Sequence, residues 1–285
     1  MTDQTLSGPI SATIRRPAIT ARRVITGFVL ATIGLGSIVH PWTFYLFVLI
    51  VGLGSLYELN RLCEIKGQPL EYPVAIAAVF AYTTLSVFDL LRQWEGVLLA
   101  CIVIAAFWLG MYGEQKGYFA RTAYTLLAVL YIGKLLTYFI FIRQIPSVGP
   151  WWTLFAVFVI AFTDMGGMAV GMLAGRTQLT RISPKKTVEG SVGATLIAVA
   201  VAVLLSLCPE FRLLWWQAAL LGAVTSIAAQ AGDLVESALK RDAGVKDTGT
   251  VIQGHGGILD RFDSYLFGGV AFFAMLHVLG LPGMQ

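Results

Sequence analysis

Apolar stretches of about 20 residues recur along this chain, each long enough to cross the ~30 Å hydrocarbon core of a bilayer as a helix. Residues 191–208, SVGATLIAVAVAVLLSLC, carry no charge at all. The 285 residues as a whole are 57% hydrophobic and only 13% charged, where soluble domains run at about 25% charged. The expected fold is an all-α polytopic integral membrane protein. Its spans are expected at 24–40, 42–58, 72–91, 96–112, 122–142, 151–174, 191–208, 213–231 and 264–281, nine in all. The first two are separated by His40-Pro41, where proline disfavours helix in the residue before it.

Charge gives the expected orientation. With nine spans, the N-terminal segment and the loops after even-numbered spans hold sixteen of the twenty Lys and Arg residues, and the opposite side holds only Arg92, Arg143 and Arg212. Lys134 lies within a span. Because Lys and Arg collect in short cytoplasmic loops, the N-terminus is expected in the cytoplasm and the C-terminus outside, in the cytoplasmic (inner) membrane. The net charge of +4 follows from this topology and gives no reason to expect nucleic acid as a partner. Residues 1–22, with Arg15, Arg16 and Arg22, have the basic start of a signal peptide. No small-residue cleavage site follows the apolar run, so it reads as a retained first span. Cys63, Cys101 and Cys208 are scattered, without metal or disulfide spacing. The expected organisation is a cytoplasmic basic tail (1–23), a transmembrane scaffold of about five helices (24–150) and a catalytic transmembrane domain of about four helices (151–285). The cytoplasmic loops of that last domain are expected at 175–190 and 232–263.

Ionisable groups at membrane depth are costly, and each marks a functional candidate. Asp164 falls midway along the sixth span, Asp233 and Glu236 close the eighth, and Asp260 and Asp263 open the ninth. Both pairs are three residues apart and so share a helix face, and the second sits where a helix N-terminus favours carboxylates. Converging acids are neutralised by a cation. All-oxygen ligands suit a hard ion, and Mg2+ is expected beside phosphates, with a second cation left open. Taken singly, Asp260 could pair with Arg261 or Lys246, and Asp263 could cap a helix. Lys134 reads as snorkelling or internally paired.

Two further segments carry polar chemistry. In ISPKKTVEGSVGA (182–194), Ser183, Lys185, Lys186 and Thr187 stand just before a span. Lysines and hydroxyls beside backbone N–H groups at a helix start form an anion site. The same composition suits a basic patch for anionic headgroups. No Walker A pattern is present. In GHGG (254–257), the glycines permit close approach to a ligand, and His255 could donate to phosphate, exchange a proton or cap a turn.

Taken together, these segments are more specific than any one of them. Ser237, Lys240, Arg241, Lys246, Asp247, Ile252, Gly254, His255, Gly256, Gly257, Asp260, Arg261 and Asp263 fall at spacings that resemble the signature of the phosphatidate cytidylyltransferases, or CDP-diacylglycerol synthases. SPKKTVEG (183–190) and GDLVES (232–237) resemble two further hallmarks, in the same order. Met168, Val188 and Gln253 depart from the family pattern. The resemblance implies a many-span helical fold and a reaction of CTP with phosphatidic acid that yields CDP-diacylglycerol and pyrophosphate. It implies Asp233, Asp260 and Asp263 as Mg2+ ligands, with Asp164 and Glu236 as further candidates. Lys246 and Arg261 join the three aspartates as catalytic candidates. Ser183, Lys185, Lys186, Thr187, Lys240, Arg241, His255, Gly256 and Gly257 are expected to bind CTP or the lipid phosphate. The expected partners are these two substrates and membrane lipids, and the oligomeric state stays open, a homodimer included. A CTP-dependent enzyme acting on another lipid phosphate or lipid alcohol is the nearest alternative. A cation-coupled transporter would also bury acids, but near mid-membrane and between inverted repeats.

Overall fold

Proline and paired charge decide where the helices begin and end. The computed structural model describes residues 21–112, 116–211, 213–249 and 256–281, with side chains from residue 27 onward. Its helices are α1 (Ala21–Ser37), α2 (Pro41–Ile65), α3 (Tyr72–Val87), α4 (Leu91–Gly110), α5 (Tyr118–Ala128), α6 (Leu135–Arg143), α7 (Gly149–Ala174), α8 (Val188–Leu205), α9 (Trp215–Asp242) and α10 (Leu259–Val278). A π-helical turn, Val129–Lys134, joins α5 to α6, so the three run as one rod from Tyr118 to Arg143. A short 3-10 turn at Pro209–Phe211 precedes α9. Among the described residues there is no strand, only an isolated bridge between Gln178 and Thr187.

Among the described residues, six helical stretches are long and apolar enough to cross a membrane: α2, α4, the α5–α6 rod, α7, α8 and α9. α1 and α3 offer shorter apolar runs, and α10 carries Asp260, Arg261 and Asp263 near its start. The break before α2 falls at His40, which is extended (ψ 136°) ahead of Pro41 and accepts the Trp42 N–H on its ring.

Hydropathy alone would stop these helices too early. α2 runs on to Ile65 and α9 to Asp242, and α10 starts at Leu259 rather than 264. The added turns are polar but paired. Asn60 donates to Glu64 at 2.7 Å, Lys66 pairs with Asp242, and Lys240 lies between Glu236 and Asp260. A helix needs its backbone ladder and satisfied side chains, not continuous greasiness. The connection expected at 232–263 therefore shrinks to 243–258, with Asp233, Glu236 and Asp242 on α9, Asp260 and Asp263 on α10, and Asp247 between them. Lys134 is internally paired, 2.5 Å from Glu95.

α7, α8, α9 and α10 pack as neighbours. At the end of α7 away from Asp164, Trp152 and Phe155 meet Phe211 and Phe272, with ring centroids 5.0–6.2 Å apart. Trp152, Phe155 and Phe272 are fully buried. This aromatic knot fixes one end of the four-helix group and leaves the polar chemistry to the other.

Candidate active site

Helical spacing places Asp233, Glu236, Ser237 and Lys240 along one face of α9, and Asp260, Asp263 and Ser264 along one face of α10. What brings the two faces together is Gly232. A β-carbon there would stand 2.6 Å from the Asp263 carbonyl oxygen and 3.3 Å from Phe267 Cβ, so only glycine lets the backbones approach this closely. The residue after it, Asp233, then faces Asp263. Carboxylate oxygens of Asp233, Glu236 and Asp263 lie within 4.8 Å of one another.

Asp260 sits beside this cluster with its oxygens occupied. Lys240 Nζ is 2.7 Å from its Oδ1, and the Gly257 and Thr248 N–H groups donate to Oδ2 at 2.8 and 3.2 Å. Lys240 also lies 2.5 Å from Glu236 Oε2. Glu236 is fully buried, yet neither of its oxygens receives a well-angled hydrogen bond. Asp164, on α7, accepts from the Ser264 hydroxyl at 3.1 Å. All five acids are thus gathered at one end of α7, α9 and α10, although Asp260 is bound to protein donors and stands outside the three-carboxylate group.

The connection between α7 and α8 folds into a hairpin that brings Lys186 to the acids. Leu179 N–H donates to the Lys186 carbonyl at 2.8 Å, Val188 N–H to that of Thr177 at 2.9 Å, and Lys186 N–H to that of Ser183 at 3.0 Å. Glu189 clamps its base, accepting the Arg176 and Thr177 N–H groups at 3.0 and 3.1 Å. Thr187 is the N-cap of α8, its hydroxyl accepting from Gly190 N–H at 3.1 Å. Lys186 Nζ ends 2.5 Å from Asp233 Oδ2.

The remaining expected residues lie around the rim. Lys185, Lys246 and Arg261 are exposed, and Ser183 is half-buried at the hairpin turn. Arg241 donates to the Val245 carbonyl at 3.0 Å, turning the chain after α9. Gly256 adopts φ +88°, and Gly257 is buried against Thr248 and Glu58. His255 lies outside the described residues.

Sequence reasoning passed over Glu58. It is fully buried on α2 and contacts the segment just ahead of Asp260. The rule that singled out Asp164 applies to Glu58 too, but at the edge of the span expected at 42–58 it reads as interfacial.

The donor set suits a hard divalent cation. Three carboxylates converge within coordinating reach, the ligand atoms are all oxygen, and buried Glu236 receives no well-angled hydrogen bond, only the Lys240 ammonium beside it. The lysines beside them, with more base at the rim, suit a polyphosphate. Such a site can neutralise and align phosphates; among the described residues it has no nucleophile–base pair of the serine or cysteine hydrolase type.

The model of the cytidylyltransferase family matches residues 21–279. A phosphatidate cytidylyltransferase of Bacillus subtilis (strain 168) is 34% identical over 253 residues, covering 86% of this chain and 93% of that protein. One of Staphylococcus haemolyticus is 34% identical over 233 residues, covering 79% and 86% respectively. A third, of Staphylococcus saprophyticus, is 33% identical over 226 residues.

Proposed function

The chain belongs to the cytidylyltransferase family, and from that premise we propose how its acidic end performs the reaction. It is a membrane nucleotidyltransferase that converts CTP and phosphatidic acid to CDP-diacylglycerol and pyrophosphate. A phosphate oxygen of the lipid attacks the α-phosphorus of CTP in line. As that P–O bond forms, the bond to the β-phosphate oxygen breaks and pyrophosphate leaves.

Positioning and charge neutralisation dominate such transfers. Asp233, Glu236 and Asp263 would hold Mg2+, which supplies charge neutralisation and Lewis-acid polarisation of phosphoryl oxygens. Lys186, released from Asp233, meets the triphosphate, and exposed Lys185, Lys246 and Arg261 extend the cationic rim. Lys240 holds Asp260 and Glu236 in place from below. The lipid phosphate is already largely ionised near neutral pH, so no strong general base is needed. The observation that carries this reading is the three-carboxylate cluster with Lys186 beside it.

We further propose that all nine of the described helical rods cross the membrane, with the N-terminus in the cytoplasm and the C-terminus outside. The sixteen-to-three distribution of Lys and Arg supports this. CTP then arrives from the cytoplasm, and the diacyl lipid from the inner leaflet beside α7, where Asp164 is exposed. The test is purified protein with radiolabelled CTP and phosphatidic acid, assayed for a chloroform-soluble cytidine product with and without Mg2+. Asp233→Asn and Asp263→Asn should each abolish product while leaving expression and membrane insertion intact. Full activity in either variant, or in chelator, refutes the metal assignment.

A further inference from the structure

α10 begins without a cap of its own. Its N-cap residue is Ile258, which has no side-chain acceptor to offer, yet a helix start leaves backbone N–H groups that need partners. The partner comes from α2. Glu58 Oε1 accepts the Ile258 N–H at 2.8 Å, and Oε2 accepts the Leu259 N–H at 2.8 Å and the Thr248 hydroxyl at 3.0 Å. A carboxylate at this point also meets the positive end of the helix dipole, and charge-assisted bonds of this kind are stronger than neutral ones.

The packing is built around this contact. A β-carbon on Gly257 would collide with both Glu58 and Thr248, and one on Gly249 would stand 2.9 Å from Glu58 Oε1. Phe47, on α2, packs edge-on to Phe262 with centroids 5.9 Å apart. Thr248 joins the two carboxylates, giving its hydroxyl to Glu58 and its N–H to Asp260. The residues immediately after the capped pair are Asp260 and, one turn on, Asp263.

We propose that Glu58 is a positioning residue of the active site: by capping α10 from α2, it sets where Asp260 and Asp263 stand relative to Asp233 and Glu236. The inference rests on the reading of the acidic cluster as the catalytic centre. Glu58 reaches the reaction only through α10. Its loss disturbs alignment at the α-phosphorus, while the lysines of the hairpin, which meet the triphosphate, keep their places.

The experiment uses the full chain in nanodiscs with Glu58→Gln, which is isosteric and keeps one acceptor oxygen, and Glu58→Met, which keeps none. Outer-layer partners of site residues are worth about 10–100-fold when removed. The expected result is a kcat lower by about 10-fold in the glutamine variant and about 100-fold in the methionine variant. KM for CTP should stay within about twofold, as befits a loss of alignment rather than of binding. Hydrogen exchange should quicken at the Ile258 and Leu259 amides while α9 keeps its protection. Wild-type kcat in both variants overturns the proposal. So does a kcat loss with exchange quickened equally across α2, α9 and α10, which would mark Glu58 as a general packing residue. Should the wild-type chain make no cytidine lipid, the functional reading fails by itself. The amide exchange at 258–259 then decides the cap, selective quickening supporting it and unchanged protection refuting it.

Discussion

Replacing Gly232 with alanine should disable the enzyme with little cost in stability. The added β-carbon would sit 2.6 Å from the Asp263 carbonyl oxygen, whereas carbon and oxygen in ordinary contact stand at about 3.3 Å or more. The carbonyl belongs to the α10 backbone and the β-carbon is fixed rigidly to that of α9, so nothing can swing aside, and α9 and α10 must part by about 0.7 Å at this level. Overpacking of this kind costs about 1–3 kcal/mol, and alanine returns up to about 1 kcal/mol through its better helix propensity. The net destabilisation should be about 1 kcal/mol. Activity is far more sensitive, because a misplacement near 1 Å can cost about 100-fold. Moving Asp263 away from Asp233 and Glu236 by that amount predicts a kcat lower by about 10–100-fold, with a melting temperature close to wild type. The measurement is cytidine-lipid formation alongside thermal unfolding in detergent. A Gly232→Ala protein with wild-type kcat would show that the contact between α9 and α10 does not set the site geometry.

Glu189→Gln removes the charge that clamps the Arg176 and Thr177 amides and should loosen the base of the hairpin. The looser hairpin presents Lys186 less well, so kcat/KM for CTP should fall about fivefold, mostly through KM; an unchanged KM would refute the hairpin's role. Phe155→Ala opens a cavity among Trp152, Phe211 and Phe272 and should destabilise by about 3 kcal/mol. Cytidylyl transfer below the lowered melting temperature should be retained, since the knot lies at the far end of α7, and a kcat loss there would contradict that separation.

How much of this was legible depends on how far apart the partners are. The i,i+3 pairs Asp233/Glu236 and Asp260/Asp263 are visible in sequence because helical spacing is local, and the break at His40-Pro41 is written in proline chemistry. The extension of α9 to Asp242 was hidden because a hydropathy reading stops where charge begins. What keeps the helix going there is pairing of Lys240 with Glu236 and Asp260, and of Lys66 with Asp242, much of it long-range. Glu58 was illegible for a similar reason. Two of its three partners are backbone amides about 200 residues away, and a backbone amide leaves no signature in the letters of a sequence. Likewise, the difference between Asp260, held by two backbone amides and Lys240, and Glu236, which has only Lys240 beside it, follows from tertiary geometry.

α10 is synthesised after every other element that feeds the site, and the earlier helices cannot substitute for it. Until it threads between α2, α7 and α9, Asp233 and Glu236 face no Asp263, and Glu58 has no amides to hold. On the proposed reading of these acids as the catalytic centre, a nascent chain carries an incomplete set through most of its insertion, and cytidylyl transfer should begin only once α10 is in place.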